Sequence, residues 1–406
     1  MLSLDEALER LLASVRPVDG TEEVDAFEAL GRVLAEPVVS GLNVPPEDNS
    51  AMDGYALRRA DVPEPGTVLP VSQRIPAGQP PQPLQPGTAA RIFTGAQIPA
   101  GADAVVMQEQ CEALGDAVKV LVVPRPGEAI RRRGEDVAAG AEVLARGTRL
   151  TPQALGMAAA VGIGRLAVAR RPRVALFSTG DELLMPGEPM RPGAIYNSNR
   201  YTLRGLLEGL GCQCTDLGIV PDRLEATRAA LRQAAPEHDL ILTCGGVSVG
   251  EEDHLKPAVE AEGRLDLWQI AIKPGKPLAF GEVFVAGREA ASPATYFIGL
   301  PGNPVSAFIT FMLAVRPVLL HLQGARELAP RGFLLRADFD WPRADKRREF
   351  LRVRCNAGGG LELFSNQGSG VLTSLVWADG VVDNPPGQAI RAGDLVRFIP
   401  MADWLA

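Results

Sequence analysis

Asp239-Leu-Ile-Leu-Thr-Cys-Gly-Gly-Val-Ser-Val-Gly-Glu-Glu-Asp-His254 is the stretch whose reading decides the fold. Leu240 to Thr243 is apolar without polar alternation, the pattern of a strand buried on both faces of a parallel sheet. Gly245, Gly246 and Gly250 then open a loop where backbone can approach an anion closely, with Ser248 among them. Glu251, Glu252 and Asp253 follow at the start of a helix, whose dipole favours acids there. Alone, this is also an ordinary strand–turn–helix with a charged first turn. Two similar units flank it: Val174–Ser178 with Thr179-Gly-Asp-Glu182, and Thr295–Gly299 with Leu300-Pro-Gly-Asn-Pro304. Three such loops at the carboxyl edge of one sheet make a polar crevice for a phosphorylated ligand.

The chain has 406 residues, enough for roughly two to four domains. With 22% charged and 46% hydrophobic residues it is a folded globular protein. A net charge of −8 argues against general binding to nucleic-acid phosphates, though not against a local basic pocket. Five cysteines, an odd number, point to a reducing compartment without a disulfide framework. Cys212 and Cys214 read as strand residues, since no second pair or suitably spaced His accompanies them. The N-terminus is acidic and amphipathic, unlike a targeting leader. The most apolar helix candidate, Ala307 to Val315, is expected to stop at Arg316-Pro317, too short to span a bilayer. The expectation is a cytoplasmic protein with no membrane or nucleic-acid partner.

Ser3 with Glu6 is a capping box, with Leu4, Leu8, Leu11 and Val15 on one face. Asp25 with Glu28 repeats the signature, and Gly31 ends that second helix. Both apolar stripes need another surface, for which a second subunit is a candidate. Asn43 to Ala56 contains Pro45, Pro46 and the Asp53-Gly54 turn, so it is a loop rich in acids. Residues 62–140 turn to Pro, Gly and β-branched residues, an all-β insertion. Within it, Asp103–Leu114 and Ala117–Val123 form a hairpin about Gly115-Asp116, and the strand Arg91-Ile-Phe93 ends at Thr94-Gly95. Arg131 to Arg133 precede Glu135 and Asp136, either a solvated charge run or a self-neutralising cluster. Thr151 and Pro152 start a helix through Val161, stopped by Gly162.

Residues 172–326 alternate strand and helix, as an α/β domain with a mostly parallel sheet does. Asn197 or Ser198 caps the helix carrying Leu203, Leu206, Leu207 and Leu210, and Asp222 with Glu225 makes a further capping box. Strands Leu265–Ile272 and Leu278–Val285 are joined by Lys273-Pro-Gly-Lys276. In residues 327–406 the pattern is β again, with strands Phe333–Phe339, Phe350–Cys355 and Leu361–Phe364, the size of a small barrel or sandwich. Residues 1–61 and 141–171 remain as a split N-terminal domain.

No Walker loop is present, and His238, His254 and His321 offer no persuasive triad. The chain offers acids, lysines and glycine loops instead. Asp181, Glu182 and Asp253 sit at strand ends that converge, and Mg²⁺ needs only one or two carboxylates with water and substrate phosphate completing its shell. Lys273 and Lys276, on a stiff Pro-Gly turn, suit an oxyanion; an exposed hairpin is the plainer alternative.

Taken together, Asp48-Asn-Ser-Ala-Met-Asp-Gly-Tyr-Ala56, Arg91-Ile-Phe-Thr-Gly95, Arg132-Arg-Gly-Glu-Asp136, Ser178-Thr-Gly-Asp-Glu-Leu183, Gly245-Gly-Val-Ser-Val-Gly250, Lys273-Pro-Gly-Lys-Pro277 and Leu300-Pro-Gly-Asn-Pro304 resemble, in order, the motifs of the MoeA family of molybdopterin molybdenumtransferases. The C-terminal domain of gephyrin is the eukaryotic relative. The resemblance implies an elongated homodimer with four domains. These are a split N-terminal domain, a β-rich insertion, a three-layer α/β/α domain shared with the MogA-like molybdopterin adenylyltransferases, and a C-terminal small β-barrel. It implies insertion of molybdate into adenylylated molybdopterin with release of AMP, dependent on Mg²⁺, and a place among other molybdenum cofactor biosynthesis proteins. Matching motif to motif, catalytic positions fall on Asp53, Asp136, Glu182, Asp222 and Asp253, with Glu182 and Asp253 toward the metal. Substrate-binding positions fall on Thr94, Gly245, Gly246, Ser248, Gly250, Lys273, Lys276, Pro301 and Pro304. In the C-terminal part the candidates are Arg347, Arg348 and Ser369, where Lys346 replaces the Gly expected before the arginine. The nearest alternatives are a molybdopterin adenylyltransferase, which needs neither β insertion nor barrel, and a gephyrin-like interaction scaffold, which needs no acids and lysines in the crevice.

Overall fold

The structure, a computed structural model, describes residues 1–246, 254–285 and 294–405. Four strands lie side by side in parallel in the order Gln213–Val220, Arg173–Thr179, Leu240–Cys244, Thr295–Leu300. Pro277–Val283 then runs antiparallel, and Gly263–Gln269 reverses again at the edge. Alternate side chains enter two separate cores, which is why Leu240–Cys244 shows no polar alternation. Val174, Leu176, Leu240, Leu242, Ile298 and Leu300 face one side, and Ala175, Phe177, Ile241 and Phe297 the other. Helices Ser198–Gly209 and Pro304–Leu322 cover the first face. Leu224–Ala234 and Leu255–Glu262 cover the second. The result is a three-layer α/β/α domain.

Caps explain where these helices begin. The Asn197 side chain accepts from Arg200 N at 3.1 Å, and Thr151 Oγ1 accepts from Ala154 N at 3.2 Å ahead of Pro152–Ala160. The helix after Asp222 has Arg223 at its N-cap position, and the Arg223 side chain makes no capping bond. Arg223 N donates to Pro221 O, the helix starts at Leu224, and Glu225 pairs with Arg228.

The apolar helix does not stop at Arg316-Pro317. It runs from Pro304 to Leu322, 19 residues, and 94% of its most apolar window is buried in the protein. A π turn over Phe311–Val315 absorbs the register change before Pro317, which lacks an N–H. The N-terminal helix Leu4–Ser14 has its capping box, but its stripe is not left for a partner. Leu4, Ala7 and Leu11 share a core with Val318, Leu319 and Leu322 of the same chain. Asp25 caps a single 3₁₀ turn, Ala26–Glu28, rather than a second helix. The residues before it, Thr21–Asp25, are committed to a strand paired with Arg165–Ala169.

The β-rich insertion is a six-stranded sheet in which Gly54–Leu57, fully buried, is flanked by Ala104–Met107 and Ala89–Ile92. This sheet therefore reaches back before residue 62. The hairpin about Gly115-Asp116 joins Cys111–Leu114 to Ala117–Val120, while a 3₁₀ turn at Gln108–Gln110 detaches Ala104–Met107 from it.

In the C-terminal part, Phe333–Arg336, Leu395–Pro400, Gly380–Asn384 and Arg348–Cys355 lie side by side in that order in one sheet. Leu361–Leu363 pairs with Arg348–Cys355, and a bridge from Ala337 to Leu361 closes the ring into a small barrel. Leu351, Val353, Val382 and Phe398 fill it. On its outside, Phe350, Val381, Ile399 and Trp404 join the α/β core.

Candidate active site

Because the four parallel strands share a direction, the loops at 179–182, 221–222, 245–246 and 301–304 emerge at one edge. Gly263–Gln269 runs the same way, so the turn at 270–276 emerges there too. The chain passes from Arg173–Thr179 outward to Gln213–Val220, then returns to the far side at Leu240–Cys244. That reversal is the switch point at which open α/β sheets bind ligands. Its two lips are in contact. Gly245 has φ +97°, and a β-carbon there would stand 2.6 Å from Thr179 O. Gly180, with φ +145°, leaves room for the Glu182 carboxylate, whose Oε2 lies 2.6 Å from where a β-carbon would be.

The third loop is tied in by side chains. Asn199 Nδ2 donates to Gly302 O at 2.7 Å, and the Cys244 thiol to Pro301 O at 3.1 Å. Burial pushes the Cys244 thiol up to about 12, so it serves as a fastener rather than a nucleophile. Pro301 and Pro304 hold the backbone ahead of the long helix, and Gly246 continues the middle loop. Ser178 Oγ and Thr179 Oγ1 are buried here without a hydrogen-bond partner among the described residues. Such hydroxyls are donors that phosphate oxygens would satisfy. Glu182 is exposed at the rim, and Asp222 follows the edge strand. Ser248, Gly250 and Asp253 lie outside the described residues. Among the described residues no three His, Cys, Asp or Glu side chains gather into a metal cage. The hard oxygen of Glu182 nevertheless suits Mg²⁺, which keeps water and phosphate ligands.

The lysine turn splits. Lys276 is exposed, with no side-chain partner among the described residues. Lys273 Nζ instead donates to Glu349 Oε1 at 3.0 Å and lies 3.3 Å from Asp345 Oδ2. The turn is also built into the barrel, since Ile272–Lys273 pairs with Arg348–Glu349. The Ser369 carbonyl accepts from Val305 N at 2.9 Å, placing its loop against the 301–304 loop. Arg347 and Arg348 are each committed to a carboxylate. Arg347 forks onto Asp345, with its Nε at 3.0 Å from Oδ1 and its Nη2 at 2.9 Å from Oδ2. Arg348 forks onto Asp383 at 2.6 and 2.7 Å, in a groove of about 450 Å³ lined by Asp5, Asp383 and Arg397.

The arginine beside the Ser369 loop is Arg352, which sequence reading passed over. It is buried and donates to Gly368 O, Phe350 O and Ser374 Oγ. Burial pulls it down to about 10. Its strand alternation was visible, with Phe350 on the same face, but nothing in the pattern showed that two carbonyls and a hydroxyl would be its partners.

In the β-rich insertion, Asp53 and Thr94 are brought together. One Asp53 oxygen accepts from Thr94 N at 2.8 Å and Thr94 Oγ1 at 2.7 Å, which holds the carboxyl below its usual range. The arginine run is not neutralised by Asp136. Arg132 pairs with Asp48 at 2.6 Å, Glu135 accepts from Arg132 N, and Asp136 stays exposed. Among the described residues no hydrogen bond or ion pair joins Asp53, Thr94 or Asp136 to the loops of the α/β domain.

Comparison with known proteins accounts for every part of this layout. Residues 2–162 match the MoeA N-terminal region (domain I and II), residues 175–321 the probable molybdopterin binding domain, and residues 335–401 the MoeA C-terminal region (domain IV). A molybdopterin molybdenumtransferase of Haemophilus influenzae is 41% identical over 98% of both chains. Gephyrin of Dictyostelium discoideum is 34% identical over 80% of this chain and 50% of its own length. The crystal structure of the molybdopterin biosynthesis moeA protein from Pyrococcus horikoshii superposes with a TM-score of 0.83 at 31% identity, covering 98% of this chain and 100% of that one. The chain belongs to the MoeA family of molybdopterin molybdenumtransferases.

Proposed function

We propose that the protein inserts molybdenum from molybdate into adenylylated molybdopterin as the phosphoanhydride bond to AMP is cleaved. The observation that carries this reading is the contact of three glycine-bearing loops at the switch point of the parallel sheet, with Glu182 exposed at the rim and Lys276 on a turn that emerges at the same sheet edge. Close backbone approach at Gly245 and the buried hydroxyls of Ser178 and Thr179 suit phosphate oxygens. The exposed ammonium of Lys276 suits a tetrahedral dianion. Glu182, with Asp253, would hold Mg²⁺, which when bound offsets charge on the departing phosphate. The chain's own groups orient the pyrophosphate and oppose its charge with fixed donors, which lowers the barrier without reorganisation.

Among the described residues Asp53, Thr94 and Asp136 make no hydrogen bond or ion pair to this crevice, and we place them over the crevice of a second subunit in a homodimer. The exposed side chains of Phe27, at 97%, and Leu30, at 57%, leave apolar surface near the start of the chain for such contact. The reaction is placed in the cytoplasm, in sequence with other enzymes of cofactor assembly.

The test is to supply the purified protein with adenylylated molybdopterin and molybdate, then add the product to a molybdenum-free apo-molybdoenzyme. Activation of that enzyme is expected. Pyrophosphate release from ATP and molybdopterin, with no activating product, would instead identify an adenylyltransferase.

A further inference from the structure

We infer that Glu349 is a positioning residue for the substrate turn: it binds the Lys273 ammonium and withdraws that charge from the oxyanion site. This rests on the proposed molybdate reaction only for where the oxyanion lies. The turn is clamped from two sides. On one side a β-carbon on Gly275 would collide with the Thr310 hydroxyl of the long helix, so only glycine allows the turn to sit so close. On the other, Arg348 N donates to Ala271 O at 2.9 Å and Lys273 is in register with Glu349.

Glu349 is 1% exposed, and its carboxylate is fully engaged. Oε1 accepts from Lys273 Nζ at 3.0 Å, while Oε2 accepts from Trp341 Nε1 at 2.8 Å and Asn384 Nδ2 at 3.3 Å. The Trp341 ring lies 5.9 Å from the ammonium. A carboxylate this deeply buried requires its cation. Asp345 adds a second negative charge beside Lys273, and Arg347 answers it. Lys273, Arg347, Glu349 and Asp345 therefore sum to zero charge. An anion arriving at the crevice meets no net attraction from this group, and Lys276 is left as the turn's unpaired cation among the described residues. The barrel thus sets how much positive charge the substrate turn presents. It does so through one side chain 76 residues away in sequence.

The experiment is a double-mutant cycle with two readouts. Unfolding midpoints are measured for Lys273→Met, Glu349→Gln and the double variant. The molybdate concentration giving half-maximal AMP release is measured for the same set and for Lys276→Met. Lys273→Met should lower the midpoint because it strands a buried carboxylate, and adding Glu349→Gln should recover most of that loss. Glu349→Gln alone should lower the molybdate requirement several-fold with kcat little changed, since it returns the Lys273 charge to the crevice. Lys276→Met should raise the requirement at least tenfold, well beyond the shift in the double variant. The inference is overturned if the double variant is no more stable than Lys273→Met. It is equally overturned if the double variant raises the molybdate requirement as much as Lys276→Met. AMP release that ignores molybdate in every variant would refute the proposed reaction, while the midpoint cycle would still decide the ion pair.

Discussion

Gly245→Ala isolates the contact on which the crevice depends. Residue 245 has φ +97°, a conformation that costs a non-glycine residue about 1–2 kcal/mol. The added methyl would meet the Thr179 carbonyl oxygen at 2.6 Å, and forced overpacking of this kind costs about 1–3 kcal/mol. The obstacle is backbone, so no side chain can rotate away. Loss of stability should total roughly 2–5 kcal/mol, read by denaturant titration. Relief requires moving the 179–182 loop, which carries Glu182, so AMP release should fall at least tenfold as well. Gly205→Ala is the matched control. Gly205 lies inside helix Ser198–Gly209 with nothing within 4 Å of its absent β-carbon. That change should stabilise by about 0.5–1 kcal/mol and leave AMP release intact. Equal stability and equal activity for the two variants would refute the reasoning about the loop contact.

Two further outcomes follow from the charges. Asp345 is held well below the ordinary aspartate range, first by its bond from the Arg347 guanidinium, and burial only partly opposes this. A carboxyl depressed in the folded state contributes stability above its unfolded value near about 4, and that contribution is lost as pH falls through the folded value. The stability difference between wild type and Asp345→Asn should therefore shrink steadily as denaturation is followed from about pH 5 down to about pH 2.5; a constant difference would mean the ion pair is not what depresses it. Mixing Asp53→Ala with Glu182→Ala chains under exchange, with dimers verified by light scattering, should restore activity to about a quarter of wild type by random pairing. Background activity despite verified exchange would confine the site to one chain and leave Asp53 with its bonds to Thr94.

The α/β domain was legible because its signals are local. Leu240–Cys244 lacks alternation since both its faces are covered, and Asn197 caps its helix within three residues of itself. The strand Gly380–Asn384 was hidden by its own polar residues. Asp383 and Asn384 are buried, but Arg348 and Arg397 donate to Asp383 and the Asn384 amide nitrogen donates to Glu349, so polarity there does not mark a loop. The apolar stripe of the N-terminal helix is legible in its spacing, yet the stripe's partner is some 300 residues distant, as the bond from His321 Nε2 to Val15 O across 306 positions illustrates. The site divides in the same way. Gly180 and Gly245 were readable from motifs, because positive φ and close approach require glycine where they stand. The roles of Lys273 and Arg352 were not, because each depends on partners brought in by the barrel.

The most direct measurement of the central claim is AMP release from adenylylated molybdopterin, followed with and without added molybdate in the presence of Mg²⁺. Release is expected to be slow without molybdate and to rise with its concentration to a plateau, with one molybdenum retained on the pterin for each AMP formed. Release at the same rate in its absence, or AMP formed with no molybdenum bound to product, would contradict it.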